Sequence, residues 1–389
     1  MDAGDAEATP RWLAEHAHLM DPYAWASAPE ALFRRKVVGE VALYLRILEH
    51  LGVDTRQGAC AELRQHLLSL ADERMIELAA RSPERAAMFG LPLSYAARHG
   101  TLTSSQLARV RDLYESDYVW GFERPAHRML ELCFPCLDAG GVPPLAPGRL
   151  VDVSSLAAPP CVLSAPRDAF YALTHAAMYA ALLGVGSHSR SVSALWLQTA
   201  LCWTLDAGDL DLACELAVGG RLLGLAETPS QARLHRTLAA MRGSGMSVPP
   251  RGSLAVDRFL AARPEDALFA RTYHTSMMAD LVIRTTPWSA PPAEGEAEGA
   301  FTAACRAARA YDMAALAPAA EAFLDAVADR PEWGEVAAAI VRFLRRAYIP
   351  GRDCLGHYRD ECRAAELGGP PSPPVVSLPS RLRPKVDLV

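Results

Sequence analysis

Two histidines in matching surroundings are the residues best placed for chemistry. The stretch Phe170-Tyr171-Ala172-Leu173-Thr174-His175-Ala176-Ala177-Met178-Tyr179 returns about a hundred residues later as Arg271-Thr272-Tyr273-His274-Thr275-Ser276-Met277-Met278, and each copy sets a His three residues before a Met. Imidazole changes charge near neutral pH, so such a pair could trade protons with a substrate or bind a metal ion. Two histidines fall one ligand short of an ordinary zinc site; Asp280, Glu131, Glu123 or Cys202 could supply the third. Tyr171 lies one turn before His175 on the same face and Tyr273 adjoins His274, so both phenols join the histidines as catalytic candidates. Thr174 is the neighbouring substrate contact. A lone His on an apolar helix is ordinarily a core residue bonded to a carbonyl, and the matched placement is what argues for more.

A second constellation runs from Asp117 to Glu131. Arg124 and Arg128 could clamp a carboxylate or phosphate, with Trp120 and Phe122 as an apolar wall. The simpler account is a salt-bridged solvent face, because Arg124, Arg128 and Glu131 fall at helical spacing. The chain has no Gly-rich phosphate loop, no Gly-x-Ser-x-Gly, no His-Glu-x-x-His and no Asp-rich diphosphate motif, so the signatures of kinases, hydrolases, zincins and terpene synthases are absent. No motif assigns a cofactor or a metal. Of nine cysteines, only Cys133 and Cys136 stand at metal-like spacing, and no second pair follows them. They read as reduced, buried thiols.

The elements that must position these residues are helices. Phe33, Val37, Val41, Leu45 and Leu48 repeat at three-to-four spacing before a stop at Gly52, and Leu63, Leu67, Leu70 and Ile76 continue the period. Thr103-Ser104-Ser105 caps a helix to about Tyr114, and Pro125 starts one to about Leu137. Later helices are expected near Asp168 to Gly184, Ser191 to Leu205, Asp209 to Leu223, Thr228 to Met241, Leu254 to Ala262, Glu265 to Ile283, Glu298 to Ala310, Met313 to Ala328 and Glu335 to Tyr348. Ala200-Leu201-Cys202 before Asp209 parallels Ala303-Ala304-Cys305 before Asp312, which extends the repeat. The expectation is an all-α, multi-helix α/α arrangement, toroid-like or a helical repeat, with an internal duplication of about 100 residues. It divides into an N-terminal helical lobe at 1–138, a Pro/Gly-rich connection at 139–166, a duplicated helical lobe at 167–367 and a Pro-rich tail at 368–389. Val151-Asp152-Val153 is the best strand candidate.

Composition narrows the partners. With 51% hydrophobic residues, 389 residues can bury a large core. Thirty-nine Lys and Arg against 45 Asp and Glu give a net charge of −6, without the basic footprint of nucleic-acid binding. The N-terminus lacks the basic and apolar regions of a signal peptide. Ala169 to Ser187 approaches the roughly 20 residues of a membrane span but carries Thr174, His175 and two tyrosines, so a buried core helix is expected. These readings give a cytoplasmic protein with a small-molecule substrate, no nucleic acid and no membrane partner; they set no oligomeric state.

Trp12-Leu13-Ala14-Glu15-His16 with Asp21-Pro22-Tyr23, then Leu173-Thr174-His175 with Met178-Tyr179 and Gly184, and then Tyr273-His274-Thr275, resemble a poorly characterised actinobacterial family of all-helical proteins. That family carries Leu-Thr-His-x-x-Phe-Tyr closing with Thr-Asp-Phe-Gly. This chain departs from it at Met178, which stands for Phe, and at Leu182, which stands for the acid. The resemblance implies a place in natural-product biosynthesis and a site at the two histidines with their Tyr and Thr neighbours. The expected function is a small-molecule enzyme of bacterial specialised metabolism with a His-lined cavity. The alternative is a helical-repeat scaffold, which would present an open groove.

Overall fold

The computed structural model describes residues 7–24, 27–160, 162, 165–185, 192–243, 266–285, 295–309 and 313–330, with scattered positions from 333 to 353. The helix expected at 254–262, most of the loop at 243–252, the insertion at 287–294, Asp312 and the tail from 368 lie outside these residues. The fold is all-α, as the periodicity requires. Successive helices are α1 (Ala8–Glu15), α2 (Ala28–His50), α3 (Gly58–Leu70), α4 (Glu73–Arg81), α5 (Ala86–Arg98), α6 (Ser104–Glu115), α7 (Asp117–Trp120) and α8 (Ala126–Asp138). They continue as α9 (Pro147–Asp152), α10 (Arg167–Leu182), α11 (Ala194–Asp206), α12 (Leu210–Leu222), α13 (Pro229–Gly243), α14 (Ala267–Thr285), α15 (Glu296–Arg309) and α16 (Met313–Ala326).

Local chemistry sets the helix ends. Ser27 accepts from the Glu30 N–H at the start of α2, with Pro29 in the first turn. Thr103 and Gln106 form a reciprocal capping box at α6. Asp209 accepts from the Leu212 N–H and so starts α12 two residues before the first of two acids on that helix, Asp211 and Glu215. Two expectations need correction. Val151 and Asp152 are helical, because Pro147 opens a first turn that buries Leu150 and Val151. Tyr348, expected at a helix end, pairs instead with Asp353 in a two-residue antiparallel ladder.

Six helices close a ring. α2 packs on α5, α5 on α8, α8 on α10, α10 on α12, α12 on α14, and α14 returns to α2. One continuous buried core runs through all of them, from Leu13 to Leu344. The closure is cemented by polar ties across large sequence separations: Tyr44 of α2 donates to Asp280 of α14 at 2.6 Å, and Tyr273 of α14 donates to Glu40 of α2 at 2.6 Å. Both histidine helices therefore flank α12. The two imidazoles need no repeat symmetry to come near one another. No helix among the described residues is long and apolar enough to cross a membrane.

Candidate functional site

A cavity of about 340 Å³ opens inside the ring, and His175 of α10 and His274 of α14 both line it. Arg35, Lys36, Gly39, Glu40 and Leu43 of α2 form another wall, Met88 and Leu91 of α5 a third, and Arg128 and Glu131 of α8 a fourth. Met178, Tyr179 and Met278 complete an apolar interior. The lining thus joins an apolar chamber to a cationic edge made of Arg35, Lys36, Arg85, Arg124 and Arg128, with Glu40, Glu84 and Glu131 among them.

The two imidazoles are held in opposite ways. His175 Nδ1 lies 2.8 Å from the Tyr171 carbonyl. A carbonyl only accepts, so Nδ1 carries the proton and Nε2 keeps its lone pair. Among the described residues no hydrogen bond reaches Nε2. Burial, reinforced by the charge of Arg128, holds His175 well below the usual imidazole range. His274 Nδ1 lies 2.8 Å from Asp211 Oδ1. Burial opposes the charge of His274, but Asp211, Glu40 and Glu215 more than reverse that and raise it to about 10.

Three carboxylates crowd His274. Asp211 also accepts from Thr275 Oγ1 at 2.8 Å and from the Tyr171 hydroxyl; burial works against its charge, and His274 with these donors keeps it well below the usual carboxylate range. Glu215 is fully buried, with Oε2 accepting from the Thr174 hydroxyl. Burial lifts its carboxyl to about 8, against the pull of His274 and with Asp211 adding to the rise. Glu40 accepts from Tyr273 through Oε2.

The residues singled out from sequence therefore fall into two groups. His175, His274, Arg124 and Arg128 line the cavity. Tyr171, Thr174 and Tyr273 do not; each hydroxyl instead donates to one of the three carboxylates, Asp211, Glu215 and Glu40 respectively. The expected phenol lining is supplied by Tyr179 alone among the described tyrosines. Trp120 is no cavity wall: it is buried with Nε1 donating to the Tyr114 carbonyl at 2.7 Å. Arg124 spends Nη1 and Nη2 on the carbonyls of Val119 and Pro83, so it ties the α7–α8 turn to the segment before α5. Arg128 pairs with Glu131 at 2.8 Å; its own side chain is half-exposed while Glu131 is buried, so the pair runs from the cavity wall out to solvent.

Of the proposed third ligands, Asp280 belongs elsewhere, bonded to Tyr44 and to Arg284 at 2.6 Å. Cys202 sits 3.0 Å from Ser230 Oγ. Cys133 and Cys136 are buried on α8, with the Cys133 thiol on the Met129 carbonyl. Sequence reasoning missed Asp211, Glu215 and Glu40. A signal for the first two exists: they stand four apart in Leu210-Asp211-Leu212-Ala213-Cys214-Glu215-Leu216-Ala217-Val218, where two acids share one face of an otherwise apolar helix.

The chain belongs to the DUF6895 family, a domain of unknown function, whose pattern matches residues 6–283. The match takes in every residue of the site from Arg35 to Met278. No curated protein and no solved structure matches the chain.

Proposed function

We propose that this chain is an enzyme of bacterial specialised metabolism that moves a proton on a small molecule held in the ring cavity. The observation that carries the reading is His175: its Nδ1–H is consumed by the Tyr171 carbonyl while the ring lines the cavity, which leaves Nε2 as a base without a protein partner among the described residues. An imidazole fixed in one tautomer, neutral and facing a cavity is available to accept a proton. His274, anchored by Asp211, makes the positively polarised wall that stabilises negative charge left on the substrate. The apolar chamber beside Lys36, Arg85 and Arg128 suits an acid with an apolar body, such as an aryl or alkyl carboxylate. The specialised-metabolism setting is supported by the motif resemblance at Leu173-Thr174-His175 and Tyr273-His274-Thr275.

The test does not require knowing the reaction. A panel of small aryl and alkyl carboxylates and phosphates is screened for binding by thermal shift, and each binder is followed in D2O by proton NMR for loss of a carbon-bound hydrogen. Wild-type protein should catalyse exchange in at least one binder. His175→Gln should keep binding within a few-fold and lose exchange by about 100-fold or more. Equal exchange by His175→Gln would refute the assignment of the base.

A further inference from the structure

Around His274 two polar groups have one atom fixed and one left over, His274 itself and Glu215. Asp211 fixes Nδ1, so Nε2 is the remaining ring nitrogen. Thr174 holds Glu215 Oε2, and Oε1 of the same fully buried carboxylate has no hydrogen-bond partner among the described residues. Tyr273 holds Glu40 Oε2, and Oε1 faces Lys36 Nζ at 3.5 Å. The unpartnered Glu215 Oε1 is 3.4 Å from His274 Nε2, and the Lys36-paired Glu40 Oε1 is 4.0 Å from the same nitrogen. One donor atom each of Asp211, Glu215 and His274 also lie within 4.8 Å of one another.

The spacing has a chemical meaning. At 3.4 Å the Glu215–His274 approach lacks hydrogen-bond geometry, yet ligands about 2.0–2.1 Å from a tetrahedral ion stand roughly 3.3 Å apart. An imidazole that ligates a metal through one nitrogen characteristically gives its other N–H to a carboxylate, which is what Asp211 receives here. Charge points the same way. Asp211, Glu215 and Glu40 surround a single imidazole, with only Arg167 at 3.5 Å from Asp211 and Lys36 at 3.5 Å from Glu40 as ion-paired cations among the described residues. A buried, half-satisfied carboxylate is costly unless a proton or a cation meets it.

We propose that His274 Nε2, Glu215 Oε1 and Glu40 Oε1 bind a divalent first-row transition-metal ion, with zinc the reference case, that Asp211 orients His274, and that the remaining coordination position opens on the cavity. Glu40 and His274 reach the cavity and Glu215 lies behind them, so the ion sits in the wall that a substrate meets. The one-imidazole, two-carboxylate set suits zinc or manganese better than a thiolate-seeking ion. What the ion does there, taking over from His274 Nε2 the stabilisation of charge on a substrate oxygen while His175 takes the proton, rests on the proton-transfer function proposed for the cavity; its binding does not.

The full chain is stripped with a chelator, dialysed against buffered zinc and assayed by elemental analysis, with cobalt as a spectroscopic substitute. About one zinc per chain is expected. Glu215→Gln, verified as folded by circular dichroism and melting, should bind zinc at least about tenfold more weakly, and Asp211→Asn should weaken it by about 10- to 100-fold. Cys133→Ser should bind as wild type. Absence of stoichiometric zinc, or equal binding by Glu215→Gln, overturns the site. Should Glu215→Gln fail to fold, X-ray absorption on zinc-loaded wild type decides: one imidazole in an oxygen/nitrogen shell supports the site, and a sulfur shell overturns it. No zinc together with His175-dependent exchange sinks the metal and leaves the proton-transfer reading; zinc at the site without exchange does the reverse.

Discussion

Gly39 tests whether the cavity walls are rigid. It lies inside α2 and lines the cavity, and a Cβ built on it would stand 3.1 Å from the Met88 carbonyl oxygen of α5. That carbonyl is accessible for a covalent reason: Pro92, four residues on, has no N–H to close the usual helical bond. Two terms compete in Gly39→Ala. Helix propensity favours Ala by about 1 kcal/mol. Overpacking costs about 1–3 kcal/mol, and the upper half applies here because the obstacle is backbone on a helix already braced by α8, not the end of a flexible side chain. The net expectation is a loss on the order of 1 kcal/mol, read as a lower urea midpoint with an unchanged slope. The bulkier Gly39→Val should lose more. A Gly39→Ala protein more stable than wild type by the full propensity gain would show that α2 and α5 slide apart freely.

Other substitutions test other links. Tyr44→Phe should cost about 1–2 kcal/mol, the worth of one buried hydrogen bond to a charged acceptor, whereas Asp280→Ala should cost about 3–5 kcal/mol by removing the buried carboxylate to which both Tyr44 and Arg284 donate; equal, small losses in chemical denaturation would deny that this pair ties α2 to α14. At Glu49, burial opposes ionisation, but His99 Nε2 at 3.0 Å and hydrogen bonds from Tyr95 and Thr55 bring the carboxyl down to about 2. A depressed carboxylate stabilises above its unfolded value of about 4.3 and loses that contribution as pH falls toward 2. The cost of Glu49→Gln should therefore be larger at pH 6 than at pH 3; a pH-independent cost would contradict it. Burial pushes the thiols of Cys133 and Cys136 up to about 12, so native protein should resist alkylation at pH 8 while unfolded protein reacts at both. Rapid native labelling would mean that α8 opens.

The helices themselves were legible in the sequence, because a 3.6-residue period, a Ser27 or Thr103 cap and a Pro in a first turn act over a few residues of chain. His175 and His274 stood out as similar words repeated in one sequence, and both line the cavity. What the chain alone did not reveal was the company those histidines keep. Glu40 lies on α2 and the Asp211/Glu215 pair on α12, well over a hundred residues apart in the chain, and only the closed packing of α2, α12 and α14 brings them to one imidazole. Adjacency groups Tyr171 and Tyr273 with the histidines, yet the direction of a phenol depends on which acceptor the neighbouring helix presents, and Asp211 and Glu40 take both. Arg124 illustrates the same limit. Its spacing from Arg128 suggested an anion clamp, and the nearby carbonyls of Val119 and Pro83, placed there by tertiary packing, claim its donors. Local periodicity fixes which face of a helix is buried; only the neighbours across that face fix what a buried polar group can do.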